Sequence, residues 1–211
     1  MITIDKSRCA LIVVDVQNDF CPGGSLEVLE GDQVAPVINR IAPMFSRVVA
    51  TQDWHPPNHI SFASNHKGGK PFDLIDIKGV EQVLWPAHCV FGTAGADFCQ
   101  DLDTNFFDII IRKGQNPELD SYSAFFENDS LTPTGLAPYL KGLGLEQVFL
   151  TGLATDVCVF FSAMDAVRLG FEVYLVEDAA RGIDSPPGSL KERISEMKDA
   201  GVQIIRSVDL E

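Results

Sequence analysis

Near its start the chain carries a short, unbroken apolar run rich in β-branched residues, Ala10-Leu11-Ile12-Val13-Val14. A strand with water on one face alternates apolar and polar residues, whereas a run with no polar position suits a strand covered on both faces. Related runs recur at residues 47–51, 107–111, 147–151, 172–176 and 202–205. Helical patterns stand between several of them. Over residues 31–48, Val34, Val37, Ile38, Ile41 and Phe45 share one face, with Asp32 placed as an N-cap. A second helix is expected from about Asp156 to Leu169, stopped by Gly170. A third opens on the capping box Ser189-Leu190-Lys191-Glu192 and ends at Gly201. Strands alternating with helices pair in parallel through right-handed crossovers. The expected fold class is therefore α/β, a three-layer α/β/α arrangement around a central, mostly parallel six-stranded sheet.

The length of 211 residues suits one such domain over residues 1–211. One stretch breaks the rhythm. Residues 55–106 are rich in Pro, Gly and aromatics and far exceed the usual connection of about 2–6 residues. Long ordered insertions of this kind tend to build sites.

The bulk numbers exclude several classes. No apolar run reaches the roughly 20 residues needed to cross a bilayer, and the first residues lack a signal-peptide pattern. A cytoplasmic location is expected, with no membrane partner. The net charge of −14 repels a phosphate backbone, so no nucleic-acid partner is expected. The five cysteines, Cys9, Cys21, Cys89, Cys99 and Cys158, form no C-x-x-C pair, and in a reducing compartment they are free thiols.

In an open parallel sheet, ligands bind beyond the carboxyl ends of the strands. At or just past four of those ends stand Asp15, Asp53, Lys113 and a turn leading to Cys158. Each residue has an ordinary reading as a cap, a solvated charge or core filler. Together they supply a nucleophile, a candidate base and an electrostatic partner, as covalent catalysis requires. Cys158 follows Gly152-Leu153-Ala154-Thr155-Asp156-Val157, where Thr155 or Asp156 can cap a helix whose first turn favours a thiolate or an oxyanion. The other reading of this turn is an anion-binding site without chemistry. A second constellation, Asp53-Trp54-His55-Pro56-Pro57-Asn58-His59 with His88 in Trp85-Pro86-Ala87-His88, holds three of the four histidines. Imidazoles beside a carboxylate suit Zn, Fe or Mn, although H-x-x-x-H also occurs by chance.

The segments Asp15-Val16-Gln17-Asn18-Asp19-Phe20, 53–59, 85–90, Arg112-Lys113-Gly114 and 152–159 together resemble the motif set of the nicotinamidases, within the isochorismatase-like cysteine hydrolases. The likeness runs in order through nearly the whole chain. It implies a catalytic triad of Asp15, Lys113 and Cys158. It implies an oxyanion hole from the Ala154 and Cys158 N–H groups, and a cis peptide between Leu153 and Ala154. It implies one divalent metal ion, zinc first and Fe or Mn next, on Asp53, His55, His59 and His88. Phe20, Leu26, Trp85, Leu153, Tyr122 and Phe125 correspond to substrate-binding positions. The implied activity is hydrolysis of nicotinamide to nicotinate and ammonia, with pyrazinamide also accepted. A related cysteine amidohydrolase acting on a ureido or carbamoyl amide, and a metal- or ligand-binding protein without turnover, are the alternatives. Homo-oligomerisation is left open.

Overall fold

The computed structural model describes residues 2–77 and 79–211. Among the described residues, eight strands and four α-helices follow in chain order: β1 (Cys9–Val14), α1 (Val34–Ile41), β2 (Val48–Asp53), β3 (Leu74–Ile77), β4 (Val80–Val83), β5 (Ile109–Lys113), α2 (Leu136–Gly142), β6 (Gln147–Leu153), α3 (Cys158–Arg168), β7 (Glu172–Arg181), α4 (Ser189–Asp199) and β8 (Gln203–Ile205). The main sheet runs β5-β2-β1-β6-β7-β8. All five of its strand pairings are parallel. No helix of the described residues is long and apolar enough to cross a membrane.

The unbroken run at β1 does what its composition requires. Cys9, Leu11 and Val13 enter a core on one face, with α1. Ala10, Ile12 and Val14 enter a second core on the other face, with α2, α3 and α4. A polar residue at any of these positions would be buried without a partner, which is why the strand shows no alternation.

Local chemistry shifts several expected boundaries. The pattern read over residues 31–48 is helical only at α1, flanked by 3-10 turns at Gly31–Gln33 and Ala42–Met44. Pro43 has no N–H to continue an α-helical ladder. Asp32 lies inside the first of these turns instead of capping α1. α3 starts at Cys158, and neither Thr155 nor Asp156 caps it. The Asp156 carboxylate instead accepts from the N–H groups of Ile183 at 2.9 Å and Asp184 at 2.8 Å, clamping the end of β7 to the turn before α3. Ser189 opens α4, but the residue before it, Gly188, occupies the cap position and makes no side-chain cap bond.

The insertion leaves the main sheet after β2 and returns at β5. It carries the antiparallel hairpin of β3 and β4, which stands apart from the main sheet. Its return is anchored at Trp85, whose N–H donates to Ser61 O at 2.7 Å while Ala63 N–H donates to Trp85 O at 2.8 Å.

Candidate active site

Four neighbouring strands, β5, β2, β1 and β6, end at one edge of the sheet. Asp15 follows β1 directly with φ 48°. Asp53 and Lys113 are the last residues of β2 and β5, and the β2–β5 register sets them opposite each other. Cys158 is the first residue of α3, beyond the turn that leaves β6. That turn requires Gly152. Its φ is +104°, and a Cβ there would stand 2.0 Å from the Val14 carbonyl oxygen. The peptide between Leu153 and Ala154 is cis.

These side chains meet in a buried cluster. The Lys113 Nζ lies 2.8 Å from Asp15 Oδ2, donates to Ser121 O at 3.0 Å and stands 3.7 Å from Cys158 Sγ. It also donates to Asp53 Oδ1. Thr51 braces Asp15 through two bonds: its hydroxyl donates to Asp15 Oδ1 and accepts from the Asp15 N–H at 3.1 Å. The Asp15 and Asp53 carboxylates and the Cys158 sulfur each bring an atom within 4.8 Å of the others.

Burial sets the electrostatics. It lifts the Asp15 carboxyl above the usual carboxylate range, with Lys113 opposing. It pushes the Cys158 thiol well up, again against Lys113. Burial also works against the Lys113 ammonium, but Asp15 and Asp53 outweigh it and hold that group protonated. For Asp53 the balance falls the other way. Burial disfavours its charge, and Lys113 and His55 overcome this and keep it ionised. The cluster thus holds a neutral thiol beside a carboxylate that accepts a proton more readily than an ordinary one. Among the described residues, the Ala154 and Cys158 N–H groups have no backbone acceptor, and Ala154 and Cys158 line the same pocket.

A second cluster adjoins the first through Asp53. Its Oδ2 stands 3.6 Å from His55 Nε2 and 3.7 Å from His88 Nε2. Two ligand atoms on one ion at metal–ligand lengths of about 2.1 Å sit about 3.4 Å apart, so these three atoms fit one divalent ion. Both rings are held by their other nitrogen. His55 Nδ1 donates to Gly114 O at 2.9 Å, and His88 Nδ1 donates to Pro86 O at 2.8 Å, which leaves both Nε2 atoms turned to the shared point. Gly114 is required here: with φ +66°, its Cβ would meet His55 Cε1 at 2.3 Å. Gln17 fixes the Asp53 backbone, accepting from its N–H at 2.8 Å and donating to its carbonyl at 2.8 Å.

His59 stands differently from its three companions. Its ring lies 4.2 Å from that of His55, centroid to centroid. Its Nε2 faces Leu119 O at 3.2 Å and its Nδ1 faces Ser61 Oγ at 2.7 Å, so the protein itself satisfies both nitrogens. Burial and the neighbouring His55 push it down to about 4, so the ring is neutral. It groups with His55 and Asp120.

The pocket above Cys158 encloses about 340 Å³ of atom-free space. Of the six residues expected to bind substrate, Phe20, Leu26, Trp85 and Tyr122 line it. Leu153 and Phe125 do not. Both are fully buried in the cores on either side of the sheet, Leu153 against Gly31 and Phe125 against the Phe171 ring at 5.9 Å. Phe125, three residues beyond the wall residue Tyr122, returns to the core by ordinary packing. Asp120, Val157 and Ile183 also line the pocket and were not among the substrate-binding positions expected from the sequence. Asp120 is held by Gln82 Nε2 at 2.7 Å, a donor that β4 supplies from the hairpin. The same Nε2 reaches Tyr122 OH at 3.2 Å, and Trp85 Nε1 donates to that hydroxyl at 3.1 Å.

A carboxylate, an ammonium and a cysteine gathered at one edge of a six-stranded parallel sheet agree with what comparison shows: the chain belongs to the isochorismatase domain family, whose model matches residues 9–209. Within that family it is similar to the nicotinamidase of Acinetobacter baylyi, 52% identical over 95% of this chain and 94% of that one. It is also similar to the solved structure of an Acinetobacter baumannii nicotinamidase/pyrazinamidase, with TM-score 0.95, 50% identity and coverage of 98% and 99% of the two chains. A Pyrococcus horikoshii pyrazinamidase solved in complex with zinc matches at TM-score 0.76 and 40% identity, covering 94% of this chain and 99% of that one.

Proposed function

We propose that this chain is a cytoplasmic amidohydrolase that converts nicotinamide to nicotinate and ammonia and also accepts pyrazinamide. The observation that carries this reading is the placement of Cys158 Sγ 3.7 Å from Lys113 Nζ, itself paired with Asp15 at 2.8 Å, at the floor of an aromatic pocket shared with Asp53 and His88.

Asp15 accepts the Cys158 proton as the sulfur attacks the amide carbon. The raised affinity of its carboxyl for a proton suits this step, and Lys113 offsets the charge that remains on the cluster. The oxygen of the tetrahedral intermediate accepts from the Ala154 and Cys158 N–H groups. Asp15 then gives its proton to the departing amine, so ammonia leaves and a thioester to Cys158 remains. A water activated by Asp15 cleaves that thioester, the carboxylic acid departs and the thiol is restored.

Asp53, His55 and His88 would hold one divalent ion, with His59 supporting His55 from the side. When bound, the ion supplies a Lewis acid for the pyridine nitrogen and orients the ring. The zinc-bound pyrazinamidase relative and a donor set of two imidazoles and one carboxylate support zinc. Phe20, Leu26, Trp85 and Tyr122 would enclose the ring faces.

A substrate panel tests the reading. Nicotinamide and pyrazinamide should both release ammonia. Benzamide, which lacks the ring nitrogen, should fall by at least about a hundredfold in kcat/KM, because a site built around a polar contact discriminates strongly when that contact is missing. Turnover of a carbamoyl amide in preference to nicotinamide would overturn it.

A further inference from the structure

The turn that delivers Cys158 is tied both to itself and to a second element. Within it, the Ala154 carbonyl accepts from the N–H groups of Val157 and Val159, both at 3.0 Å. Those bonds close the turn onto the first residues of α3, so the Ala154 and Cys158 N–H groups belong to one small piece of backbone. Its internal shape is fixed, but its orientation against the sheet needs partners from elsewhere. The exit of β7 supplies them. Thr155 N–H donates to Arg181 O at 2.8 Å. Asp156 Oδ1 accepts from Ile183 N–H at 2.9 Å, and Oδ2 accepts from Asp184 N–H at 2.8 Å and from the Ser189 hydroxyl at 3.3 Å.

One side chain thus gathers three donors from residues 183–189, and it stands midway in sequence between Ala154 and Cys158. The close approach is built into the chain: a Cβ on Gly182 would stand 3.1 Å from Asp156 Oδ1 and 2.6 Å from Leu190 Cδ1. The arrangement calls for a group that only accepts. A carboxylate has acceptor positions on both oxygens, whereas a carboxamide has one acceptor oxygen and would turn its own N–H toward a donor. Among the described residues, Asp156 is neither a wall of the pocket above Cys158 nor a member of either cluster. Ile183, which it holds, does line that pocket.

We infer that Asp156 is a positioning residue for the oxyanion: by pinning the turn between Ala154 and Cys158 to the exit of β7, it aims their two N–H groups at the oxygen of the tetrahedral intermediate. This rests on the reading of the chain as a cysteine amidase for nicotinamide. Such donors act where charge develops, and their worth falls steeply with misalignment. The sulfur takes its environment from Lys113 and Asp15 instead. Loosening the anchor therefore weakens the hold on the tetrahedral oxygen and leaves ring binding and thiol reactivity in place.

The test compares metal-loaded wild type, Asp156→Asn and Ser189→Ala. Pyridine-3-carbaldehyde is the probe for the tetrahedral state. The Cys158 sulfur bonds to its carbonyl carbon, the thiol proton passes to Asp15, and the carbonyl oxygen becomes an oxyanion facing the same two N–H groups. 3-Methylpyridine, which offers the ring without an oxygen, is the probe for ground-state binding. Asp156→Asn should lower kcat/KM for nicotinamide at least about tenfold and weaken the aldehyde in proportion. Its inhibition by 3-methylpyridine and its rate of Cys158 alkylation by a haloacetamide should stay within about twofold of wild type. Ser189→Ala removes only the longest bond, so it should show smaller losses in the same proportion. Unchanged kcat/KM in Asp156→Asn overturns the role, as does a loss of kcat/KM with aldehyde affinity retained. A parallel loss of 3-methylpyridine affinity and alkylation rate also overturns it, because that pattern marks general distortion. If wild type fails to turn over nicotinamide while aldehyde affinity still depends on Asp156, the reading of the substrate fails and the positioning role stands.

Discussion

Cys158 is 5% exposed, yet its sulfur lies where the pocket, the α3 terminus and Lys113 meet. A serine hydroxyl at that place would be a far weaker acid, and Asp15, although raised, would still be too weak a base to activate it. Cys158→Ser should therefore retain its fold and lose at least about a thousandfold in kcat; wild-type kcat in a steady-state assay would remove Cys158 as nucleophile. Gly114 offers a sharper test of the ligand cluster, because it contributes no side chain to either cluster. Its missing Cβ is what allows the His55 ring to lie flat against the backbone and donate to Gly114 O. Gly114→Ala should lower metal content per chain at least about tenfold by elemental analysis, since outer-shell partners of a ligating histidine are commonly worth that much in metal affinity. Full occupancy in the variant would separate His55 from the metal site. At this scale the sequence was informative about the groups that do chemistry, because Asp15, Asp53, Lys113 and Cys158 sit at strand ends. It was silent about Asp120, whose place is settled by Gln82 reaching across from β4.

Among the elements, β7 is the longest strand, and it fastens the end of the chain as well as the sheet. Asp178 on β7 accepts from the Ser207 N–H at 2.7 Å and from its hydroxyl at 2.6 Å. Burial alone would raise this carboxyl, but the two bonds from Ser207 outweigh it and hold the group below its ordinary value of 3.8. A carboxylate depressed by folding contributes stability above its unfolded value and loses it as pH falls through the lower folded value. Asp178→Asn should thus cost about 1–2 kcal/mol at pH 7 by urea denaturation. The difference from wild type should begin to narrow below pH 3.8 and close as pH falls through the lower folded value, where the wild-type group is neutral too; an undiminished gap at pH 2.5 would mean that charge has no part in it. The strands were legible in advance because their apolar runs have no competing period. The β3–β4 hairpin was not: Leu74–Ile77 alternates only between exposed and half-buried positions, so it carries little hydrophobic signal. α2 escaped notice for another reason, since it is seven residues long and contains Pro138. In the turn before α3, a local capping rule lost to a tertiary one when Asp156 bonded to Ile183 and Asp184.

For the molecule as a whole, the two clusters are adjacent but separable. Asp53 belongs to both, while the thiol takes its environment from Asp15, Lys113 and the α3 terminus. Chelation should therefore abolish nicotinamide turnover while changing the rate of Cys158 alkylation by a small haloacetamide by less than about threefold. Metal-free protein, verified by elemental analysis, that still turns over nicotinamide would dissociate the ion from the reaction. The triad is also a statement about topology. Asp15 closes the first strand, Lys113 ends the fifth, and Cys158 comes after the sixth, so a working thiol exists only when strands far apart along the chain have found one another across the sheet. Contacts of that range form late, because the intervening loops must close first. In kinetic terms, recovery of turnover reports the completion of refolding, and it lags any optical signal of helix or strand formation.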